Sequence, residues 1–184
     1  LTGSGNDLRV TDIQPEGPGR RWTVEEALPM MENLAGRDFV KGKAMYAASL
    51  CLSCHTMRGE GGAVGPDLTQ LGTRFSAKDI LDATINPNAV ISDQYAATIF
   101  YLHDGSSIMG KLANEEADKY IVSQNPFDPN TLREIPKKDV KSKKLSEISI
   151  MMPGMINRLN GEELKDLMAY LMAGGNPEHE LFKK

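Results

Sequence analysis

The chain has 184 residues, a net charge of −4, 40% hydrophobic residues and 25% charged residues. This length suits about one domain, and this composition excludes wholesale disorder. The acidic balance argues against a general nucleic-acid binder, and no apolar run approaches the ~18 residues of a membrane span. Because the first residue is Leu1, we expect a processed or trimmed chain, with any signal peptide or membrane tether upstream.

The N-terminal half is predicted to hold an arm followed by helices. Over residues 1–21, glycine and proline residues interrupt any regular spacing of apolar residues that a helix or strand would need. This predicts a flexible arm suited to a tether or linker. A threonine and a glutamate at capping-box spacing predict a short helix over 23–31. A rough 3.6-residue apolar stripe predicts a helix over 38–50. Another helix is predicted between Ser76 and Asn86.

After this helix, the spacing of apolar residues changes from the helical period to the alternation that is typical of strands. Residues 95–103 are rich in β-branched and aromatic side chains, and Asp104-Gly105 predicts a hairpin turn into a return strand over 108–112. Shorter strands are predicted over 120–122 and 131–135. The sequence therefore predicts about 50 residues of small antiparallel sheet inserted in a helical frame.

A helical pattern resumes near the C-terminus. Asn160 and Glu163 have capping-box spacing, and Gly174-Gly175 predicts the helix end. The residues between them form one apolar face, made of Leu164, Leu167, Met168, Leu171 and Met172.

The two cysteines, Cys51 and Cys54, precede His55 in the pattern C-x-x-C-H, which is the attachment signature of c-type haem. Thiols three residues apart at a helix start can add to the two vinyl groups on one edge of a porphyrin. His55 can then supply an imidazole nitrogen to the iron as the proximal ligand. The motif predicts one covalent haem c, with its iron, as the cofactor.

Other uses of the cysteine pair fit the sequence less well. A zinc site needs four ligands, and the chain has no second cysteine pair. A thioredoxin-like redox pair follows a strand in a βαβ unit, whereas a helix is predicted before Cys51. A structural disulfide across so tight a loop is less favourable still.

Two further groups can complete the surroundings of the haem. Pro66 has a carbonyl that can accept a hydrogen bond from His55 and so fix its tautomer, although Gly65-Pro66-Asp67 also suits a plain turn. A thioether sulfur suits the sixth position of the iron. Among ten methionines, Met151 and Met152 lie in an irregular loop before the last helix and are the candidates. Met155 is better suited to packing against the start of that helix as a hydrophobic staple. His103 and His179 are weaker alternatives for the sixth ligand.

Together these features resemble a class I cytochrome c. Gly42 and Tyr46 lie in the helix before the motif, residues 65–68 read G-P-D-L, and Tyr170 precedes a leucine in the last helix. The resemblance implies a mainly α fold, the class I cytochrome c helical fold around one covalent haem, with a small inserted antiparallel sheet. It also implies a contact between Tyr170 and Gly42, and it makes Arg74 a candidate partner of a haem propionate, although a surface role is equally consistent.

The inserted sheet narrows the resemblance to the haem-binding domains of planctomycetes and related bacteria, which are often attached to large dehydrogenase-like proteins. Residues 86–92, 95–105 with Gly110, and 164–171 carry this resemblance. That family's methionine loop reads S-x-M-P-x-G, whereas residues 149–154 read S-I-M-M-P-G. The alignment without a gap favours Met151, and preserving the Met-Pro pair favours Met152.

The sequence divides into an arm with a short helix (1–37), a cytochrome c domain (38–175) with an insertion over about 93–145, and a tail (176–184). The predicted function is a monohaem c-type cytochrome, not an enzyme, that carries single electrons between redox partner proteins. The alternative is a haem enzyme or a gas or redox sensor with a labile or absent sixth ligand. The resemblance implies a periplasmic or membrane-tethered bacterial protein, and the acidic net charge predicts no nucleic-acid partner.

Five lysines give residues 137–144 a basic character within an acidic protein. One interpretation is a solvated or edge-protecting segment. The other is a patch that steers an acidic redox partner in a salt-dependent manner.

Overall fold

The computed structural model of the chain describes residues 9–183, which separate into two units. The helical unit comprises residues 9–63, 67–85 and 154–183. The sheet unit comprises Val64–Pro66 and Asn86–Pro153.

The helical unit contains short helices whose ends follow the capping signals of the sequence. The Thr23 side chain accepts a hydrogen bond from the Glu26 N–H, and Asn160 and Glu163 form a complete capping box. Three segments form 3-10 turns: Val10–Asp12, Leu28–Glu32 and Glu180–Phe182. The α-helices are α1 (Val24–Ala27), α2 (Phe39–Ala48), α3 (Cys51–Cys54), α4 (Leu71–Arg74), α5 (Ala77–Ile85) and α6 (Gly161–Met172), and a two-residue hairpin joins β1 (Thr56–Met57) to β2 (Glu60–Gly61).

Helices α2 and α6 pack closely at Gly42. A Cβ atom at this position would lie 2.5 Å from the Asp166 carbonyl oxygen and 2.9 Å from the Tyr170 Cβ. The Tyr170 ring also lies 5.3 Å from the ring of Tyr46, centroid to centroid. The contact between Tyr170 and Gly42 that the resemblance implied is therefore confirmed, and it fixes the helix that leads into the cysteine motif.

Residues 9–21, expected to form a flexible arm, instead pack on the helical unit. The N–H groups of Glu16 and Gly17 donate to the Glu163 carboxylate, and Trp22, directly after this segment, donates its indole N–H to the Leu159 carbonyl at 3.1 Å. Glycine and proline exclude a regular helix here, but they are compatible with an ordered irregular segment held by tertiary hydrogen bonds. Residues 1–8 of the predicted arm lie outside the described residues.

The sheet unit is built around five antiparallel strands in the order β6-β5-β4-β3-β7. The predicted hairpin at Asp104-Gly105 is confirmed, with Gly105 at a φ of +86°. A 3-10 turn, Lys137–Asp139, joins the last two strands. The strands are β3 (Thr98–Leu102), β4 (Ser107–Glu115), β5 (Lys119–Ser123), β6 (Leu132–Pro136) and β7 (Val140–Leu145).

The core of the sheet unit shows that this sheet curls on itself. Phe100, Ile108, Val122 and Ile135, from four different strands, are all buried together, and Val140 of β7 packs against them. β6 and β7 lie at opposite edges of the sheet, yet only Lys137–Asp139 joins them, so the sheet must curve to bring its edges towards each other, as in a small barrel. Small barrels, such as SH3-like barrels, host many unrelated functions, so the fold alone assigns none.

The mainly α fold class is wrong. The structure is 32% helical and 20% strand, and its five-stranded sheet is a major part of it. The prediction failed for two physical reasons. Several helices are single turns, so helices make up less of the chain than a mainly α fold requires. Strand β7 was not predicted because lysine is depleted in strands and hides the alternation of apolar residues there. Within β7, Lys143 covers the Tyr120 ring at 4.5 Å, so a charged residue takes a packing position.

Candidate haem-attachment site

The motif C-x-x-C-H forms a single helical turn followed by an extended residue. Leu50 precedes it in the left-handed conformation, with φ of +62°, which separates α2 from α3. Cys51 and Cys54 lie three apart in α3 and therefore on the same face of the turn. The His55 N–H donates to the Cys51 carbonyl at 2.9 Å. The structure thus brings together the three residues that the sequence predicted to hold the haem.

The position of His55 is fixed by the helix that precedes the motif. The buried Tyr46 hydroxyl donates to the His55 carbonyl at 3.0 Å. Burial, the largest contribution, raises the pKa of Tyr46, so this phenol stays protonated and able to donate. Tyr46 was assigned only through the resemblance, and its bond to His55 was not predicted.

The glycine-rich segment after the motif lies directly against α3. The Gly62 N–H donates to the Leu52 carbonyl at 2.9 Å, and the Thr56 hydroxyl donates to the Gly62 carbonyl at 2.8 Å. A Cβ on Gly62 would lie 2.1 Å from the Ser53 carbonyl oxygen, and one on Gly61 would lie 2.3 Å from the His55 carbonyl oxygen. These two glycines were not predicted as site residues, although the high number of glycines directly after the motif indicated a segment that packs closely there.

Both cysteine side chains are favoured in their neutral, protonated thiol form. Burial raises the pKa of the Cys51 thiol to about 12, and it also raises the pKa of Cys54. The Cys51 sulfur lies 3.8 Å from the Ser49 carbonyl oxygen, within reach of a weak S–H hydrogen bond. Neither cysteine is in a disulfide, so both side chains are available for the chemistry that the motif predicts.

The donor set fits a bound haem. Two thiols and an imidazole are the side chains that hold haem c. Cys51 and Cys54 lie in α3, and His55 follows at its end. The residues present therefore fit the haem.

The other predicted site residues lie elsewhere in the chain. Pro66 is half-buried in the short stretch Val64–Pro66 of the sheet unit. Arg74 ends α4 and is exposed, with its guanidinium carbon 5.9 Å from the centre of the Phe75 ring. Met151 is half-buried and Met152 is 44% exposed, both in the irregular segment after β7. Their roles at the haem stay predictions.

The histidines outside the motif have local roles. His103 is exposed beside the β3–β4 turn, and the His179 ring nitrogen Nδ1 accepts a hydrogen bond from the Leu181 N–H at 3.3 Å. Among the described residues, no three His, Cys, Asp or Glu side chains are grouped so that they could hold a metal ion.

The basic stretch 137–144 is partly neutralised. Lys137 and Lys143 both form ion pairs with Glu115, at 2.8 and 3.6 Å, and both lie over the Tyr120 ring. The remaining lysines of the stretch are exposed and form no ion pair within the described part of the chain; they are Lys138, Lys141 and Lys144.

Comparison with known proteins identifies one related family. The sequence model of the cytochrome c family matches residues 39–123, from the start of α2 to the end of β5, and includes the whole C-x-x-C-H motif. It ends before Met151 and Met152. A search of curated proteins finds no match. The match shows that this part of the chain is similar to cytochrome c domains and supports a haem-binding electron-transfer protein.

Proposed function

We propose that the chain is a monohaem c-type cytochrome that carries single electrons between redox partner proteins with His/Met ligation of its iron. The observation that carries the proposal is the α3 turn, which presents both thiols on one face and ends at His55. A bound haem supplies one-electron chemistry through its iron. Electron transfer needs no paired carboxylates and no nucleophile–base pair, and the sequence shows neither arrangement. The spectra described below distinguish electron transfer from the alternative enzyme and sensor functions.

The residues of α3 attach the haem and orient its proximal ligand. Cys51 and Cys54 would hold it through two thioethers, each formed when one S–H adds across a vinyl double bond, without an external oxidant. His55 would bind the iron through one ring nitrogen, and its other ring N–H would donate to the Pro66 carbonyl. A hydrogen bond of this kind fixes the tautomer of the imidazole and raises its basicity.

Local geometry favours Met151 over Met152 as the second axial ligand. The Met151 N–H donates to the Ser149 hydroxyl at 3.1 Å, and the Ser149 N–H donates to the Asn88 side chain at 2.7 Å. These two bonds hold the Met151 backbone against the segment that precedes β3. Met152 is the more exposed of the two. A ligand with a fixed backbone loses less entropy when it binds, so Met151 is the better candidate.

Absorption spectra of the oxidised and reduced protein, with and without CO, test this proposal. The wild-type protein is expected to be low-spin, to show the weak far-red band of sulfur-to-iron ligation, and to be unchanged by CO. Met151→Ala is expected to lose the far-red band and to bind CO, because the sixth position then lies open. Met152→Ala and Met109→Ala are expected to keep the wild-type spectrum; Met109 is an exposed methionine of β4 that serves as the matched control.

Two results would change the account in different ways. Loss of the far-red band in Met152→Ala alone would transfer the axial role to Met152. A high-spin wild-type spectrum that shifts with CO would contradict electron transfer and favour a haem enzyme or a gas sensor.

The proposed location is outside the cytoplasm. Cytochrome c domains are typically extracytoplasmic in bacteria, and we propose a periplasmic site, with or without a membrane anchor. Within residues 9–183, no helix combines the length and apolar character that crossing a bilayer requires. The exposed lysines of the 137–144 stretch are the proposed contact for an acidic redox partner, and association that is independent of salt would contradict that role.

A further inference from the structure

The Tyr46 side chain carries a hydroxyl into the core of the helical unit, where an apolar ring would suffice for packing. Tyr46 is 1% exposed, and its ring lies 5.3 Å from the ring of Tyr170, centroid to centroid. Burying a phenol hydroxyl costs free energy unless it is hydrogen-bonded, and phenylalanine would fill the same space without that cost. Core packing therefore accounts for an aromatic ring at position 46 but not for its hydroxyl.

That hydroxyl is directed at the backbone of the histidine in the attachment motif. It donates to the His55 carbonyl at 3.0 Å, nine residues further along the chain. The same carbonyl oxygen packs against β2, because a Cβ on Gly61 would approach it to 2.3 Å. The His55 N–H donates to the Cys51 carbonyl at 2.9 Å. Both polar groups of the His55 backbone are therefore held, the N–H by α3 and the carbonyl by Tyr46 of α2.

Neighbouring aromatic rings limit the movement of the Tyr46 phenol. Tyr170 of α6 packs on Tyr46 on one side and lies 5.5 Å from the Phe39 ring on the other, centroid to centroid. Closely packed core side chains keep defined rotamers, so a ring held in this way presents its hydroxyl in one direction. The hydroxyl is therefore aimed at His55 by contacts that lie entirely within the helical unit.

We propose that Tyr46 is a positioning residue whose hydroxyl sets the plane of the His55 imidazole at the iron, with Tyr170 keeping the hydroxyl aimed. This inference rests on the proposed function, in which His55 is the proximal ligand. The imidazole is attached to the backbone that the hydroxyl restrains, so a change in that backbone turns the ring. Groups that orient a metal ligand tune the metal, because the overlap of ligand and iron orbitals depends on the ligand's orientation.

Proton NMR of the oxidised, haem-loaded protein reports this orientation directly. The unpaired spin of low-spin Fe(III) spreads over the haem according to the plane of the axial imidazole, so the spread of the haem methyl signals follows that plane. Tyr46→Phe keeps the buried ring, removes only the donor, and is expected to change this spread. Tyr170→Phe is the matched control, because it removes a hydroxyl of the same buried aromatic cluster from α6 rather than α2. The control is expected to keep the wild-type spread.

Hydrogen exchange supplies a second readout, which concerns the polypeptide alone. In Tyr46→Phe, the His55 amide is expected to exchange about tenfold faster than in the wild type, and in Tyr170→Phe at the wild-type rate.

A changed methyl spread with faster exchange in Tyr46→Phe only supports the inference. A wild-type spread in Tyr46→Phe overturns it, even where the variant is less stable. Equal changes in both variants also overturn it, because they would reflect a loosened core and not the bond to His55. A wild-type protein whose mass shows no covalent haem overturns the proposed function itself, so the two failures are distinguishable.

Discussion

Gly62→Ala is expected to destabilise the protein by about 3 kcal/mol and to reduce the yield of haem-loaded protein. The added Cβ would lie 2.1 Å from the Ser53 carbonyl oxygen and 3.2 Å from the Cys54 Cα, both backbone atoms of the motif. The segment after the motif must therefore move away from α3, and the bond from Gly62 to Leu52 is strained or lost. Thermal unfolding should show a midpoint lower by roughly 6–12 °C.

Gly161→Ala is the matched control for this substitution. Its new Cβ would meet the terminal methyl of Met30 at 2.6 Å, and that flexible side chain can move aside. Position 161 begins α6, where alanine is the better helix former, so the control should be neutral or slightly stabilising. Equal stability of the Gly62 and Gly161 variants would show that the segment is not packed against α3 as described.

The substitution Gly42→Ala is expected to be destabilising although alanine favours helices. In an open helix, glycine-to-alanine replacement stabilises by about 1 kcal/mol. At Gly42 the Cβ would lie 2.5 Å from the Asp166 carbonyl oxygen, so α2 and α6 must separate, at a cost of about 3 kcal/mol. The sign of the change in unfolding free energy, measured by denaturant titration, therefore tests the helix crossing.

The same substitution should also disturb the site. Helix α2 carries Tyr46, whose hydroxyl holds the His55 carbonyl, so a shifted α2 weakens that bond. The spectrum of the folded Gly42→Ala protein should therefore show a fraction of altered axial ligation. A stabilised variant with a wild-type spectrum would contradict the close packing of α2 on α6.

Local sequence signals predicted helices α1, α2, α5 and α6 and the hairpin because each signal acts over a few residues, whereas the single turn α4 was not predicted. The caps at Thr23 and Asn160 and the turn at Asp104-Gly105 depend on neighbours within three positions, and all three are confirmed. The attachment motif is local in the same sense, and the structure gathers its three residues in one turn.

Features that depend on residues far apart in the chain were not predicted from the sequence. β7 is stabilised by pairing with β3 and by lysines that pack on an aromatic ring, and neither is visible in a lysine-rich segment read alone. The order of residues 9–21 depends on Glu163, far along the chain. Likewise, the bonds from Tyr46 to His55 and from Lys111 to Val64 pair residues whose identities alone give no hint of the contact.

The central claim is that Cys51 and Cys54 bind one haem covalently, and the intact mass of the protein tests it most directly. The chain would be produced with cytochrome c maturation machinery and weighed before and after acid–acetone extraction, beside the double variant Cys51→Ala, Cys54→Ala. We expect the wild-type mass to exceed that of the polypeptide by one haem and to survive extraction, and the double variant to lose the added mass. A wild-type protein with the bare polypeptide mass would contradict the account.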